Sequence, residues 1–231
     1  MDIATIQIGN LIIGEPMTSV TDIGIAITSF VLVARVRDRL NESGFYAAWR
    51  MFFLFMGIST SIGTIAHAIN GSHAVTLFNT LWMCMITSSS IAVFFANEAT
   101  IRFMHTGTTA RRYMQTSNLA ALLVFVGLTF LRNNFEIFKY HAAAGVLFIF
   151  FTHLIAWMRS HWGSGWLVAG MGLSICTVFI HSVQFSFGIW FNYKDISHVI
   201  MVLSLLFIYN GIRVMNDQLV LSNYKARVSS E

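Results

Sequence analysis

The sequence predicts an all-α fold, a bundle of seven membrane-spanning helices that forms a single domain over residues 1–231. Hydrophobic residues make up 56% of the chain and charged residues only 10%, whereas about 25% charged residues is typical of a soluble domain. Several uncharged runs reach the roughly 17 residues that cross a bilayer. They are 51–97, 113–131, 140–158, 160–193 and 196–212. The chain is therefore expected to be a multi-pass membrane protein.

Turn signals and charged residues divide these runs into helices. The longest run contains the polar segment Asn-Gly-Ser-His at 70–73 and is expected to form two spans. The first span extends the apolar run 23–34 back to Met17 and so includes Asp22. The run 160–193 is long, but its start is aromatic and its end is polar, so it is expected to form one span. The predicted helices are 17–36, 47–69, 74–98, 113–131, 135–158, 164–187 and 195–215.

The distribution of basic residues predicts the orientation, because Lys and Arg are retained on the cytoplasmic side. Alternate connections and the C-terminal tail carry eleven of the 14 Lys and Arg residues, and the other connections carry three. We therefore expect an external N-terminus and a cytoplasmic C-terminus, in a plasma membrane or a bacterial inner membrane. No basic segment followed by an apolar one precedes the first helix, so no cleaved signal peptide is expected. The positive charge favours the anionic lipid bilayer as partner and not nucleic acid.

Ionisable side chains inside a membrane are costly, so each is a candidate functional residue. At 1.5 Å per residue, His67 lies about 27 Å along the second helix and His181 about 26 Å along the sixth. Asp195 and His198 fall in the first turn of the last helix. Residues of five helices therefore share the outer layer of the membrane, whereas His153 lies nearer the cytoplasm. The layer contains Asp22, His67, His141, His181, Asp195 and His198.

Each member also has a structural interpretation. Asp195 is well placed as a helix N-cap. Asp22 is less well placed as a cap, because a span of about 30 Å that ends at the first arginine must begin near Glu15. For His141 and His153, an interhelical hydrogen bond is the preferred interpretation.

Together, these residues match the ligand set of a catalytic zinc site. Asp195 and His198 are three residues apart and share one helical face. Adding His67 and His181 gives three imidazoles and a carboxylate, as in sites with three protein ligands and an open position for water. The sequence therefore predicts that His67, His181 and His198 bind zinc and that Asp195 or Asp22 acts as the general base.

The same residues resemble a known family, the seven-transmembrane metal hydrolase superfamily of alkaline ceramidases and adiponectin-receptor-like proteins. The segment 63–67, Gly-Thr-Ile-Ala-His, resembles the second-helix element of that family. The segment 195–198, Asp-Ile-Ser-His, resembles part of its last-helix element. In that family, one histidine of the second helix and two of the last helix bind zinc, assisted by a serine and an aspartate. The resemblance implies a zinc-dependent hydrolase of lipids.

The preferred function is therefore hydrolysis of a lipid amide or ester near the outer membrane face, with zinc polarising the carbonyl and activating water. Two other classes stay open. One is a receptor or proton-coupled transporter that uses the carboxylates and histidines as relays. The other is a haem b redox protein in which His67 pairs with His141 or His181. A retinal protein is not expected, because none of the three lysines lies inside the predicted last helix, 195–215.

Overall fold

The computed structural model describes residues 4–9, 11–39, 44–72, 74–104, 106–132 and 135–228. Seven long helices dominate these residues, and a short hairpin of two strands precedes them. The strands are β1 Thr5–Ile8 and β2 Leu11–Gly14. The helices are α1 Pro16–Arg39, α2 Gly44–Ile69, α3 Val75–Phe103, α4 Thr108–Arg132, α5 Phe135–Met158, α6 Trp162–Val183 and α7 Tyr193–Val228. All seven are long and apolar enough to cross a membrane, which confirms the predicted all-α seven-helix fold.

Four helix ends differ from the prediction by more than three residues, and one of them is the start of α4, which lies at Thr108 and not at 113. The helix α3 runs on to Phe103, since an ion pair between Glu98 and Arg102, one turn apart, continues it beyond its apolar part. The helix α6 ends at Val183 and not at 187, because Gln184 takes a left-handed backbone with φ of 52°. The helix α7 continues to Val228, well past the predicted end at 215. The turn expected at 70–73 follows the end of α2, although His73 lies outside the described residues.

The hairpin was not predicted. Its strands pair antiparallel, from Thr5 opposite Gly14 to Ile8 opposite Leu11. The hairpin abuts the end of α2, because a Cβ on Gly14 would lie 1.9 Å from the carbonyl oxygen of Asn70. The backbone N–H of Glu15 donates to the carbonyl of Ala4 at 2.9 Å. The hairpin thereby holds Glu15 at the entrance to α1.

The helices pack as a ring of six with one helix outside it. Neighbours around the ring are α1, α2, α3, α5, α6 and α7, and α7 closes the ring against α1. The helix α4 packs on the outside, against α3 and α5. Small residues bring α6 and α7 close together, since a Cβ on Gly211 would meet the carbonyl oxygen of Gly163 at 2.8 Å. In this arrangement α1 contacts both α2 and α7, which decides where the polar residues meet.

Candidate functional site

The polar residues of α1, α2 and α7 meet at the end of the bundle where the hairpin joins α1. The carboxylate of Glu15 is central to this end and is 6% exposed. The His67 Nδ1 atom lies 2.5 Å from Glu15 Oε2, and Asn70 Nδ2 donates to the same oxygen at 3.1 Å. The ammonium group of Lys194 pairs with Glu15 Oε1. Glu15 therefore connects the start of α1 to α2 and to α7.

The pKa of Glu15 reflects these partners. Burial of the carboxyl group raises its pKa, but the hydrogen bonds from His67 and Lys194 and the favourable electrostatic interactions with these two side chains together outweigh that effect. The net result is a pKa of about 2, well below the ordinary value of 4.5. Glu15 is therefore ionised at neutral pH and is a fixed negative charge at this end of the bundle.

One buried carboxylate faces two imidazoles. Asp22 of α1 is 4% exposed. Its Oδ2 atom is 3.9 Å from His67 Nε2, and its Oδ1 atom is 3.6 Å from His198 Nε2. A Cβ at Gly63 would lie 2.8 Å from Asp22 Oδ2, so the absence of a side chain there makes room for the carboxylate. We call Asp22, His67 and His198 the Asp22 cluster.

The second nitrogen of each histidine in the Asp22 cluster is also held. The Thr21 hydroxyl donates to the carbonyl of Thr18 at 3.0 Å, so its oxygen is left to accept from His198 Nδ1 at 2.9 Å. On the other histidine, Nδ1 donates to the ionised carboxylate of Glu15. Both rings therefore have Nδ1 bound to an oxygen and turn Nε2 towards Asp22.

Asp195 helps to cap α7 from the third position of the helix, whereas the N-cap position predicted for it is taken by Asn192. Asp195 is fully buried, and it accepts from the Thr18 hydroxyl at 2.7 Å and from the Asn192 backbone N–H at 2.7 Å. In return, Asn192 Oδ1 accepts from the Lys194 backbone N–H at 2.8 Å. This reciprocal arrangement is similar to a capping box. The catalytic role predicted for Asp195 stays a prediction, although both of its oxygens already have donors.

The other predicted histidines lie in different surroundings. The ring of His181 packs edge-on against Tyr193, with 5.0 Å between centroids. The ring of His141 lies 5.2 Å from that of Phe125. His153 Nδ1 and the Ser164 hydroxyl are 3.1 Å apart, which confirms an interhelical hydrogen bond at that position.

The structure unites part of the predicted ligand set. It brings His67 and His198 to the two oxygens of Asp22, with the two rings edge-on to each other and 6.4 Å between their centroids. In the part of the chain that the structure describes, no group of three or more His, Cys, Asp or Glu side chains is arranged to hold a metal ion. Zinc binding by His67, His181 and His198 therefore stays a prediction.

Glu15, Thr18, Thr21 and Lys194 belong to the site but were not predicted from the sequence. A signal for two of them is present, because Glu15, Thr18 and Asp22 follow one another at steps of three and four residues, which places them on one face of a helix. For Lys194, the basic side chain indicated only the orientation of the chain.

One protein family, described as a family of unknown function (DUF6962), matches residues 17–217. The chain belongs to the DUF6962 family. The segment shared with the DUF6962 family includes all seven helices in whole or in part and the whole Asp22 cluster, and it begins just after Glu15. Neither the curated proteins nor the solved structures contain a match to the chain.

Proposed function

We propose that the chain is a membrane-embedded hydrolase that uses one metal ion, zinc by preference, to cleave a lipid amide or ester near the outer membrane face. The observation that supports this proposal is the Asp22 cluster, in which imidazoles of α2 and α7 turn Nε2 towards one buried carboxylate of α1.

The orientation of the two histidines is the one that metal sites use. A histidine that binds a metal usually donates its other ring N–H to an oxygen, which sets its tautomer and its direction. Glu15 accepts this bond from His67, and Thr21 accepts it from His198. Two imidazoles and a carboxylate are also the protein ligands of known catalytic zinc sites. A zinc ion in such a site polarises a carbonyl group and lowers the pKa of water to about 7.

The spacing of the cluster is slightly wider than that of ligands around zinc. With bonds of about 2.0–2.1 Å and tetrahedral geometry, neighbouring ligand atoms are about 3.3 Å apart. Asp22 Oδ1 is 3.6 Å from His198 Nε2 and Asp22 Oδ2 is 3.9 Å from His67 Nε2, so each imidazole faces a different oxygen of the carboxylate. To bind one ion together with Asp22, both imidazoles must move towards it. In this proposal Asp22 takes the ligand position predicted for His181, and Asp195 is the remaining candidate for the general base.

The surface beside the cluster suits a lipid substrate. On α1, the side chains of Val20, Ile23 and Ile27 are 58%, 44% and 59% exposed. These residues flank Asp22 in the chain and present an apolar surface on the outside of the bundle. His198, with 18% of its side chain exposed, is the most accessible member of the cluster. An acyl chain in the membrane can therefore lie along α1 close to the cluster.

A proton-coupled transporter is the second candidate, because carboxylates and imidazoles alternate across three helices. The order is Glu15, His67, Asp22 and His198, with separations of 2.5, 3.9 and 3.6 Å. Chains of Asp, Glu and His residues carry protons in pumps and transporters. This candidate needs no metal, so the metal content separates it from the hydrolase.

The decisive experiment measures metal by mass spectrometry and the visible spectrum in detergent-purified protein. We expect about one zinc ion per chain, in keeping with a single site of three ligands. His67→Ala, His198→Ala and Asp22→Asn should each lose the metal. His153→Ala is the matched control, because His153 bonds to Ser164 far from the cluster. His181→Ala should also keep the metal. If this variant lost the metal, the ligand set predicted from the sequence would be restored.

The other outcomes contradict the proposal. If the protein takes up no zinc after dialysis against it and does not hydrolyse a fluorescent lipid amide, the hydrolase is excluded. Proton uptake into vesicles, lost in Asp22→Asn, would then favour the transporter. A Soret band would favour the haem protein.

A further inference from the structure

The connection between α6 and α7 exposes an unusual amount of apolar surface. This α6–α7 loop spans residues 184–192 and contains no charged residue. Its side chains Phe185, Phe187, Ile189 and Trp190 are 52%, 74%, 58% and 51% exposed. Exposed apolar side chains that lie next to one another, unlike isolated ones, indicate a surface that another apolar phase covers.

The loop has a defined fold. The Phe187 backbone N–H donates to the carbonyl of Phe191 at 3.1 Å, and the rings of these two residues stack with 6.2 Å between centroids. The ring of Phe185 packs edge-on against that of Phe187 at 5.2 Å. The Ser186 hydroxyl accepts from the Tyr193 backbone N–H at 3.0 Å. The apolar side chains are therefore presented outwards by a structured turn.

The loop lies at the end of the bundle that carries the Asp22 cluster. Its last residue, Asn192, donates its backbone N–H to Asp195, which also accepts from Thr18 of α1. The apolar surface of the loop continues that of α6, where Val178, Phe179 and Val183 are 41%, 66% and 53% exposed. No charged residue separates these two surfaces along the chain.

We propose that the α6–α7 loop is immersed in the membrane interface beside the Asp22 cluster, where lipid covers Phe185, Phe187, Ile189 and Trp190. Lipid is favoured over water or a second chain, because the loop joins two membrane spans and extends the lipid-facing surface of α6. Aromatic rings, tryptophan above all, are the side chains that settle at this level of a bilayer. The proposal does not depend on the chemistry of the Asp22 cluster, so either can fail alone.

Spin labels on single cysteines test the proposal in the full-length protein, reconstituted into phosphatidylcholine vesicles. Cys84 and Cys176 are exposed and are first replaced by alanine. Labels are then placed by Phe187→Cys and Trp190→Cys. Two positions on α4 serve as references: Leu123→Cys for lipid, since Leu123 is 65% exposed in the middle of a span, and Thr109→Cys for water, since Thr109 is exposed in the first turn. The collision rates of each label with oxygen and with a water-soluble nickel chelate are compared.

The ratio of the oxygen to the chelate collision rate at 187 and 190 should lie several-fold above that at 109 and below that at 123, because the interface lies between water and the middle of the bilayer. A ratio equal to that at 109 would place the loop in water and overturn the proposal. Low collision rates with both reagents, together with slow label motion, would show that protein covers the loop and would overturn it as well. If Phe187→Cys does not give monodisperse protein, Ile189→Cys replaces it, because Ile189 belongs to the same exposed surface.

Discussion

Replacing Glu15 by glutamine tests whether an ionised carboxylate holds α1, α2 and α7 together. The amide keeps the size of the side chain and an oxygen that accepts from His67 or Asn70, but it offers no charge to Lys194. The pKa of Glu15 is about 2 in the folded protein, against an ordinary value of 4.5. By linkage, that difference corresponds to about 3 kcal/mol in the free energy of unfolding at pH 7. We expect Glu15→Gln to lose most of this.

The pH dependence distinguishes the charge of Glu15 from its packing. Because folding lowers the pKa of Glu15, its stabilisation is complete above pH 4.5 and is lost as the pH falls towards about 2. At pH 3, roughly 1.4 kcal/mol remains by the same relation. The loss in Glu15→Gln should therefore fall to about half its neutral value at pH 3.

Denaturant unfolding in detergent micelles at pH 7 and pH 3 measures this loss. A thermal midpoint serves as a second readout, with an expected decrease of roughly 6–12 °C at pH 7 for a chain of this size. Glu136→Gln is the control, because Glu136 pairs with Lys139 at the surface, where an ion pair contributes at most about 1 kcal/mol. An equal loss at both pH values, or a loss no greater than in the control, would refute the electrostatic role of Glu15.

Three further predictions address the Asp22 cluster, the cap and the orientation. Gly63→Ala should displace Asp22, and it should lower both the stability, by about 1–3 kcal/mol, and the metal content. Gly127→Ala, in open space inside α4, should lower neither, because alanine is the better helix former. In Asp195→Asn, the new amide can accept from the Asn192 N–H and donate to the Thr18 hydroxyl, so the free energy of unfolding should stay within about 0.5 kcal/mol of the wild-type value. Asp195→Ala loses both bonds, and its free energy of unfolding should fall by about 1–2 kcal/mol. A fluorescent reporter fused to the C-terminus should be cytoplasmic, and an external reporter would contradict the orientation predicted from eleven basic residues against three.

Most of the fold was predictable, because the requirement for apolar spans acts on each segment of chain separately. The uncharged runs identified all seven helices. The predicted ends of the helices were less accurate, since hydropathy identifies only the apolar part of a helix. The ion pair between Glu98 and Arg102 extends α3, and the left-handed backbone of Gln184 stops α6 within its apolar run. Both effects are local features of the chain that the length of an uncharged run does not reveal.

The depth of the candidate site residues along their helices was predictable from the sequence, but the direction in which each side chain points was not. Counting residues along each helix placed His67, His181 and His198 in one layer, and the structure brings His67 and His198 to the same carboxylate. His181 instead packs against Tyr193. The rotation of each helix about its axis decides which side chains converge, and depth along the axis is independent of that rotation.

The sequence by itself determined that this chain forms seven apolar helices, because each apolar segment can be recognised separately from its length and its lack of charge. It also predicted that six ionisable residues share one layer, since depth follows from counting residues along each helix. Only the tertiary structure decided which of these groups meet. By packing α1 against both α2 and α7, the bundle brings Asp22 to His67 and His198, and it brings Asp195 to Thr18 and Asn192. The physical reason is that helix pairing depends on the close fit of small residues such as Gly63, Gly163 and Gly211 against distant parts of the chain.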